Sequence, residues 1–309
     1  MPASLEVREL VAACDLCGEA RSRFFRKLPG GPVVRCAGCG LLYLGDRPSD
    51  EALSALYTEA YYQDRGMADL DARSEQSANR ERLEWLPPVP AGATRRLLDV
   101  GCGSGSFLAA AREAGWTVEG TEISSWGIAQ SRDRFGLEVR QGSVEDLLGS
   151  HWAPGTFDAV TSFQNIEHQR RPMRAFRAMH DLLKPGGRLV LRTPNSESFD
   201  QWWYGASWAG WNDPGHFYFF GLSQLERYCR ASGLKVLHVD RSTTRALEGP
   251  KAFLRKLKGK PVTSPAAAGS VPQPSAPTGR KGLKRSLLKA AGYVASGRDA
   301  TLLAERPGN

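Results

Sequence analysis

Two pairs of cysteines near the N-terminus have the spacing of a metal site. Cys14 and Cys17 form one CxxC pair, and Cys36 and Cys39 form a second pair after eighteen intervening residues. Four thiolates suit tetrahedral Zn²⁺, and four protein ligands leave no position for water or substrate, so such a zinc is structural. Buried free thiols, a redox pair, disulfides and an iron–sulfur centre are the alternatives. We expect zinc, because two CxxC pairs at this spacing rarely arise otherwise, and the ion would stabilise a module, residues 1–46, that is too small to bury a full core.

A glycine-rich turn follows the first strongly apolar strand. Residues 96–100 run into Gly101, Gly103 and Gly105, which let the backbone bend sharply and approach a ligand closely. This signal alone is weak, since dinucleotide-binding proteins use a related turn to seat a pyrophosphate. Here Asp99 precedes the turn, where a carboxylate suits a ligand ammonium and disfavours a pyrophosphate.

The second strand of this region also ends in an acid. Glu122 closes the segment VEGTE, where its carboxylate can accept hydrogen bonds from both hydroxyls of a ribose. A solvated strand end is the alternative for this residue taken by itself. Together with the GCGSG spacing of the turn, Glu122 favours a ligand that carries a ribose but no pyrophosphate.

Two histidines are candidates for proton transfer. His168 follows the fourth strand in the segment NIEH, at the sheet edge that lines the ligand crevice, and its ordinary pKa suits a general base. Capping of the next helix is the alternative role. His216 lies within residues 202–220, which hold nine of the 28 aromatic residues of the chain. These rings could stack on a sugar or prenyl group or form a hydrophobic plug, and His216 could be a second polar group of the site.

An alternation of strands and helices must position these residues. Strands separated by single helices imply a parallel sheet covered on both faces, which we expect within a domain of residues 93–309. Residues 47–92 are expected to form a helical connector. The domain would carry an aromatic insertion at 196–221 and a basic flexible insertion at 249–298. Predicted strands cover residues 96–100, 117–120, 137–140, 157–162, 188–192, 235–239 and 300–304; predicted helices cover 106–114, 124–135, 172–183 and 223–232.

The formal net charge of +8 comes from one segment. Residues 249–298 contain eleven Lys or Arg and no acid, so the remaining chain has 30 basic residues (41 − 11) against 33 acidic ones. Within this segment, residues 281–294 can form a basic amphipathic helix that would contact an anionic membrane surface, or pack on the domain with a solvated charged face. No apolar run is long enough to cross a bilayer. We expect a cytoplasmic protein, with membrane association limited to this helix.

The motifs taken together resemble those of class I S-adenosylmethionine (SAM)-dependent methyltransferases. Four segments within residues 95–195 show the resemblance, in this order: LLDVGCGSG, VEGTEIS, FDAVTSFQNIEH and LLKPGGRLVLRTPN. The resemblance implies an α/β, Rossmann-like fold with a seven-stranded, mostly parallel sheet whose reversed last strand is 300–304. The implied SAM-binding residues are Gly101, Cys102, Gly103 and Gly105 around the methionine part, Glu122 on the ribose, Ser143, Val144 and Glu145 beside the adenine, and also Asp99 and Gln164. Because many relatives carry an acid where Ser143 stands, the adenine contact would come from the backbone or from Glu145.

A narrower resemblance concerns the acceptor. CDLCG, VRCAGCGLLYL, LYTEAYY, TPNSES, GASW and DPGHFYFF resemble segments of methyltransferases from polysaccharide and sugar-modification pathways. It implies a glycan or other small-molecule acceptor, with Tyr62, His168 and His216 as acid or base. No segment of this sequence resembles the C-terminal domain typical of the zinc-bearing sugar C-methyltransferases. We therefore expect methylation of a hydroxyl of a nucleotide-linked or lipid-linked sugar, in preference to methylation of a sugar carbon.

Two other functions fit parts of the sequence. An RNA methyltransferase could grip RNA with the zinc module and the basic segment. The basic residues are confined to one linker-like stretch, so a nucleic-acid partner is not expected. A non-catalytic SAM-binding scaffold is the second alternative, and the intact glycine turn, Glu122 and His168 argue against it.

Overall fold

The N-terminal part of the chain forms small antiparallel sheets. The computed structural model describes residues 8–28, 30–49, 52, 72–211, 213–240 and 299–308. Strands β1 (Arg8–Leu10) and β5 (Asp46–Pro48) pair with each other, and β2 (Ser22–Leu28), β3 (Gly31–Cys36) and β4 (Leu42–Leu44) form consecutive antiparallel pairs. Cys14 and Cys17 lie in the segment before β2, Cys36 ends β3, and Cys39 lies in the turn between β3 and β4.

The remaining elements alternate strand and helix. They are α1 (Ala72–Leu83), β6 (Arg96–Val100), α2 (Ser106–Glu113), β7 (Thr117–Glu122), α3 (Ser125–Phe135), β8 (Val139–Gln141), α4 (Val144–Leu147), β9 (Phe157–Phe163), α5 (Pro172–Leu182), β10 (Leu183–Pro194), α6 (Phe199–Tyr204), β11 (Tyr218–Phe219), α7 (Leu222–Ala231), β12 (Lys235–Asp240) and β13 (Asp299–Glu305). Short 3₁₀ helices at Ile166–His168, Gly205–Ser207 and Ala209–Trp211 complete the set.

A seven-stranded sheet is the centre of the molecule, and it confirms the predicted fold class. Its order is β12-β13-β10-β9-β6-β7-β8, with β6 to β10 mutually parallel and β13 antiparallel to both of its neighbours. The central strands are apolar without alternation because both faces are covered: Leu97, Leu98 and Val160 are fully buried. The predicted reversed strand at 300–304 is β13.

The cysteine-bearing part and the large sheet share one hydrophobic core. A single cluster of buried side chains includes Val33 and Leu41 beside Trp211, Phe220 and Tyr228. In addition, β11 pairs antiparallel with β4, so the small sheet has the order β11-β4-β3-β2. The segment between β10 and α7 thus supplies the fourth strand of the N-terminal sheet.

Several predictions lie outside the described residues. They concern Tyr62 and its tyrosine segment, the part of the connector at residues 50, 51 and 53–71, and the basic insertion with its helix at 281–294. Within the part of the chain that the structure describes, no helix is both long and apolar enough to cross a membrane.

Candidate active site

The glycine turn between β6 and α2 is fixed by backbone conformation and by close contacts. Gly101, Gly103 and Gly105 have φ of +73°, +53° and +79°, in the left-handed region that favours glycine. A Cβ on Gly101 would lie 2.3 Å from Cγ of Asn165, and one on Gly105 would lie 2.6 Å from Oγ of Ser131. No described atom lies within 4 Å of a Cβ built on Gly103. The turn therefore packs tightly at both ends and opens in the middle, as a site that admits a ligand to the backbone must.

Glu122 holds this turn from the neighbouring strand. Its Oε1 accepts hydrogen bonds from the N–H groups of Ile123 and Ser124, both at 2.8 Å, and its Oε2 accepts one from Gly103 N–H at 2.9 Å. Burial raises the pKa of Glu122, and the backbone donors oppose that shift. Since a carboxylate has about four acceptor positions, one is left for a ligand hydroxyl in this conformation. The structure thus places Glu122 beside the turn with room for one ribose hydroxyl, whereas the sequence pattern predicted that it would accept from both.

Asp99 is buried, although the sequence pattern predicted that its carboxylate would contact a ligand. It is 3% exposed, and its Oδ1 accepts a hydrogen bond from Oγ1 of Thr161 at 2.7 Å. Burial raises its pKa to about 6, while the Thr161 hydrogen bond and the positive charge of Arg82 act in the opposite direction. A cationic ligand group nearby would favour the charged carboxylate in the same way as Arg82.

Arg82, which the sequence analysis missed, reaches this region from α1. Its Cζ lies 4.8 Å from the ring centroid of Phe163, and its Nη1 donates to Oδ1 of Asn79 at 3.2 Å. The buried Nε has no hydrogen-bond partner in the described part of the chain. Asn79 in turn donates to Oγ of Ser106 at the start of α2, at 3.4 Å. Because α1 has many charged residues, nothing in the sequence distinguishes Arg82 from an arginine whose side chain is fully exposed to solvent.

The three residues predicted to border the adenine lie in different environments. Ser143 is the N-cap of α4: its Oγ donates to Oδ2 of Asp146 at 2.6 Å and accepts from Asp146 N–H at 3.3 Å. Val144 is 1% exposed and packs in the core. Glu145 has its pKa raised by burial, and its Oε2 has no hydrogen-bond partner among the described residues. Glu145 is therefore the side chain of this segment best suited to a ligand.

Two further residues of the predicted cofactor set differ in what they offer. The side chain of Cys102 packs inward against Gly120, so its backbone is the part that faces the turn. Gln164 follows β9 with an exposed side chain and φ of +53°, the one positive φ of a non-glycine residue in the described chain. Its N–H donates to Arg192 O at 2.8 Å. Such strain is typical of functional sites, and Gln164 stays a prediction on that basis.

A buried carboxylate follows two residues after a side chain that contacts the same turn. Asn165, whose side chain contacts Gly101, begins the 3₁₀ turn that contains Glu167 and His168. Glu167 has a side chain 2% exposed, and its Oε2 accepts from Oγ1 of Thr193 at 2.8 Å. Its Oε1 is buried and has no hydrogen-bond partner in the described chain. Burial raises the pKa of Glu167 to about 7, and the nearby His216 opposes the shift.

The two predicted histidines, 48 residues apart, are in contact. The ring centroids of His168 and His216 are 4.7 Å apart at an interplanar angle of 71°. His216 Nε2 lies 3.9 Å from Oε1 of Glu167 and 3.8 Å from Oδ2 of Asp213. Together these four side chains form what we term the histidine cluster: Asp213, Glu167, His168 and His216.

Most of the aromatic stretch is core. Six of its nine rings are at most 4% exposed, so for these six the hydrophobic plug is the alternative that fits. They are Trp208, Trp211, Phe217, Tyr218, Phe219 and Phe220. Trp202 and Tyr204 are partly exposed. The backbone of Phe217 ties the histidine cluster to the N-terminal sheet: its N–H donates to Glu167 O at 2.9 Å, and its carbonyl accepts from Leu44 N–H at 2.8 Å.

The four predicted metal-binding cysteines converge. Sγ of Cys14 lies 3.5 Å from Sγ of Cys39, Sγ of Cys17 lies 3.5 Å from Sγ of Cys36, and all four atoms lie within 4.8 Å of one another. Zinc–sulfur bonds of about 2.3 Å in a tetrahedron require sulfurs about 3.8 Å apart. Burial opposes ionisation of Cys36, but N–H donors of Cys39 and Gly38 and neighbouring thiols outweigh it and lower its pKa to about 7. The donor set fits a tetrahedral metal.

Comparison with known proteins agrees with the cofactor site. A family model described as "Methyltransferase domain" matches residues 68–239. Ubiquinone biosynthesis O-methyltransferases are among the curated relatives: that of Pseudomonas aeruginosa is 32% identical over 122 residues, and that of Xanthomonas campestris pv. campestris is 35% identical over 133 residues. These alignments cover 38% and 41% of this chain, and 52% and 55% of the relatives. The chain thus spans about half the length of the curated relatives it matches.

Solved structures share the fold. A phosphoethanolamine N-methyltransferase 2 of Haemonchus contortus, in complex with S-adenosylhomocysteine, superposes with a TM-score of 0.55 at 17% identity, covering 85% of this chain and 62% of that chain. A SAM-dependent methyltransferase of Archaeoglobus fulgidus gives 0.51 at 16% identity, covering 75% and 94%. At these identities the likeness concerns the fold alone.

Proposed function

This chain belongs to the methyltransferase-domain family, and from that premise we propose that it transfers a methyl group from SAM to a sugar hydroxyl. The acceptor would be a nucleotide-linked or lipid-linked glycan precursor. The observation that carries the proposal is the histidine cluster, two members of which, Glu167 and His168, closely follow Asn165, the residue whose side chain contacts Gly101 of the glycine turn. Cofactor and acceptor sites would therefore meet where β6 and β9 end.

The described residues fit SAM. The open space beside Gly103 admits the methionine part, Glu122 retains one acceptor position for a ribose hydroxyl, and Asp99 favours an ammonium. Arg82, with its buried Nε, is suited to the methionine carboxylate. SAM supplies a methyl group on a sulfonium centre, which an oxygen nucleophile attacks in line.

The histidine cluster addresses the difficult part of such a transfer. A hydroxyl is a weak nucleophile until its proton is removed or a positive charge binds its oxygen. His168 and His216 lie in a largely buried site next to two carboxylates, and such groups can accept or stabilise that proton. Positioning the hydroxyl in line with the methyl group would add a further large part of the rate.

The choice of a hydroxyl and of a sugar rests on different support. The curated relatives are named O-methyltransferases, which favours oxygen as the methyl acceptor in this chain as well. The proposal of a sugar acceptor rests on the motifs that resemble sugar-pathway methyltransferases and on the partly exposed Trp202 and Tyr204, which offer flat apolar faces.

We further propose that the four cysteines hold a structural zinc ion.

Labelled SAM incubated in parallel with four acceptor classes tests this function. The classes are nucleotide sugars, lipid-linked sugars, RNA and a phenolic quinone precursor. We expect label in a methyl ether on a sugar, identified by hydrolysis and mass spectrometry. Transfer confined to the phenol or to RNA would refute the sugar acceptor, and SAM binding without transfer to any extract fraction would favour a scaffold.

A further inference from the structure

Three side chains of the histidine cluster present the donor set of a metal site. The candidate ligand atoms of Glu167, His168 and His216 all lie within 4.8 Å of one another. Two imidazoles with one carboxylate form a set that borderline divalent cations accept. It contains no sulfur, so it differs chemically from the four-cysteine site near the N-terminus.

The tautomers of both rings are set by backbone carbonyls. Nδ1 of His168 lies 3.0 Å from Gly215 O, and Nδ1 of His216 lies 2.9 Å from Gly210 O. A carbonyl oxygen only accepts hydrogen bonds, so each Nδ1 carries the hydrogen and each neutral ring keeps its lone pair on Nε2. Metal-binding histidines have this same arrangement, in which the second ring nitrogen donates to a carbonyl or carboxylate and orients the ligand.

The Nε2 lone pair of His216 then faces negative charge. It lies 3.9 Å from Oε1 of Glu167 and 3.8 Å from Oδ2 of Asp213, too far for a hydrogen bond in either case. Oε1 of Glu167 is also buried without a hydrogen-bond partner in the described residues. Acceptors that face one another in a buried site repel unless a proton or a metal cation lies between them.

A bound cation satisfies His216 and Glu167 with a small adjustment. Nitrogen and oxygen ligands lie about 2.0–2.2 Å from zinc, which puts two ligands on one tetrahedral ion about 3.4 Å apart. The 3.9 Å separation of His216 Nε2 and Glu167 Oε1 needs to shrink by only about half an ångström. His168 and Asp213 are partly exposed, so the ion has a route of entry.

We propose that Glu167, His168 and His216 bind a divalent cation that coordinates the acceptor hydroxyl. The role in catalysis rests on the proposed function, whereas the binding of the ion does not. The cation lowers the pKa of the hydroxyl, whose proton passes to the carboxylate of Asp213. The oxygen then forms its bond to the methyl carbon as the carbon–sulfur bond breaks, and the electron pair of that bond stays on sulfur.

Binding of Co²⁺ to the full-length, zinc-loaded protein tests the site directly. We expect one equivalent of Co²⁺ beyond the zinc, with visible ligand-field absorption and no thiolate-to-cobalt charge transfer. Glu167→Gln, His168→Gln and His216→Gln should each weaken binding by more than about tenfold, since changing even the hydrogen-bond partners of a ligand costs that much. His151→Gln is the matched control, because His151 is exposed and lies outside the cluster. SAM affinity and zinc content show that each variant is folded.

The outcomes separate the site from the function. Absence of the second equivalent, thiolate absorption alone, or undiminished binding in the three ligand variants would overturn the cation site. Full methyl transfer by protein stripped of this ion would overturn its catalytic role and leave the proposed function standing. Cobalt binding lost in the three variants, with no transfer to any hydroxyl, would support the site and refute the proposed function.

Discussion

Replacement of Gly103 by alanine tests whether the opening in the glycine turn is the cofactor space. The matched control is Gly136→Ala, at the C-cap of α3. Gly103 has φ of +53° and Gly136 has φ of +60°, and neither added Cβ meets a described atom within 4 Å. Both variants should therefore lose stability through the left-handed backbone alone, by about 1–2 kcal/mol.

The two variants should differ only when the cofactor binds. At Gly103 the new methyl group would occupy space that SAM needs, and overpacking of that kind costs about 1–3 kcal/mol. This corresponds to a loss of affinity of roughly five- to 150-fold. Gly136 lies outside the turn, so Gly136→Ala should bind SAM as the unchanged protein does.

Calorimetric titration with SAM, together with thermal unfolding without ligand, measures both effects. Similar decreases in Tm, of a few degrees for a domain of this size, should accompany very different Kd values. Equal SAM affinity of the two variants would show that the cofactor does not approach Gly103 and would refute the placement of the site.

Three further predictions concern other parts of the site. His216→Ala should lower methyl transfer at least about 100-fold with little change in SAM affinity, whereas His151→Ala should leave both transfer and SAM affinity unchanged. Equal transfer by the two variants would show that His216 has no role in catalysis. Chelation of the cysteine site, or Cys36→Ser, should reduce transfer more than SAM affinity, because Phe217 links the N-terminal sheet to the cluster; parallel losses measured by titration and initial rates would contradict this. Because burial raises the pKa of Asp99 from 3.8 to about 6, the protonated acid stabilises the fold below pH 4, and that stability is lost as pH rises through 6. Denaturant unfolding should show this loss, Asp99→Asn should abolish it, and an unchanged pH profile in that variant would refute the assignment.

The central sheet was predictable because short, mostly apolar segments alternate with helical patterns along the chain. The predicted strand over residues 96–100 coincides with β6, and the reversed strand after the basic insertion is β13. The glycine turn and Glu122 were equally predictable, since their residue types follow directly from the backbone and ligand chemistry they serve.

Other features depend on tertiary contacts that no local pattern contains. The contact of His168 with His216 joins residues 48 positions apart, and β11 is only two residues long, too short to show alternation. The partial burial of Arg82 depends on how α1 lies on the sheet. Ser143 was assigned to the adenine although its sequence context, followed by Glu145 and Asp146, is equally typical of a helix N-cap.

The pairing of β11 with β4 has a consequence for how the chain reaches its native state. Tyr43 and Tyr218 are register partners although 175 positions separate them, so the small sheet cannot be completed until nearly three quarters of the chain has left the ribosome. Contacts at such separation slow folding because a long loop must close before they form. During synthesis a metal-bound cysteine segment would therefore have the edge of β4 unpaired until β11 has been synthesised.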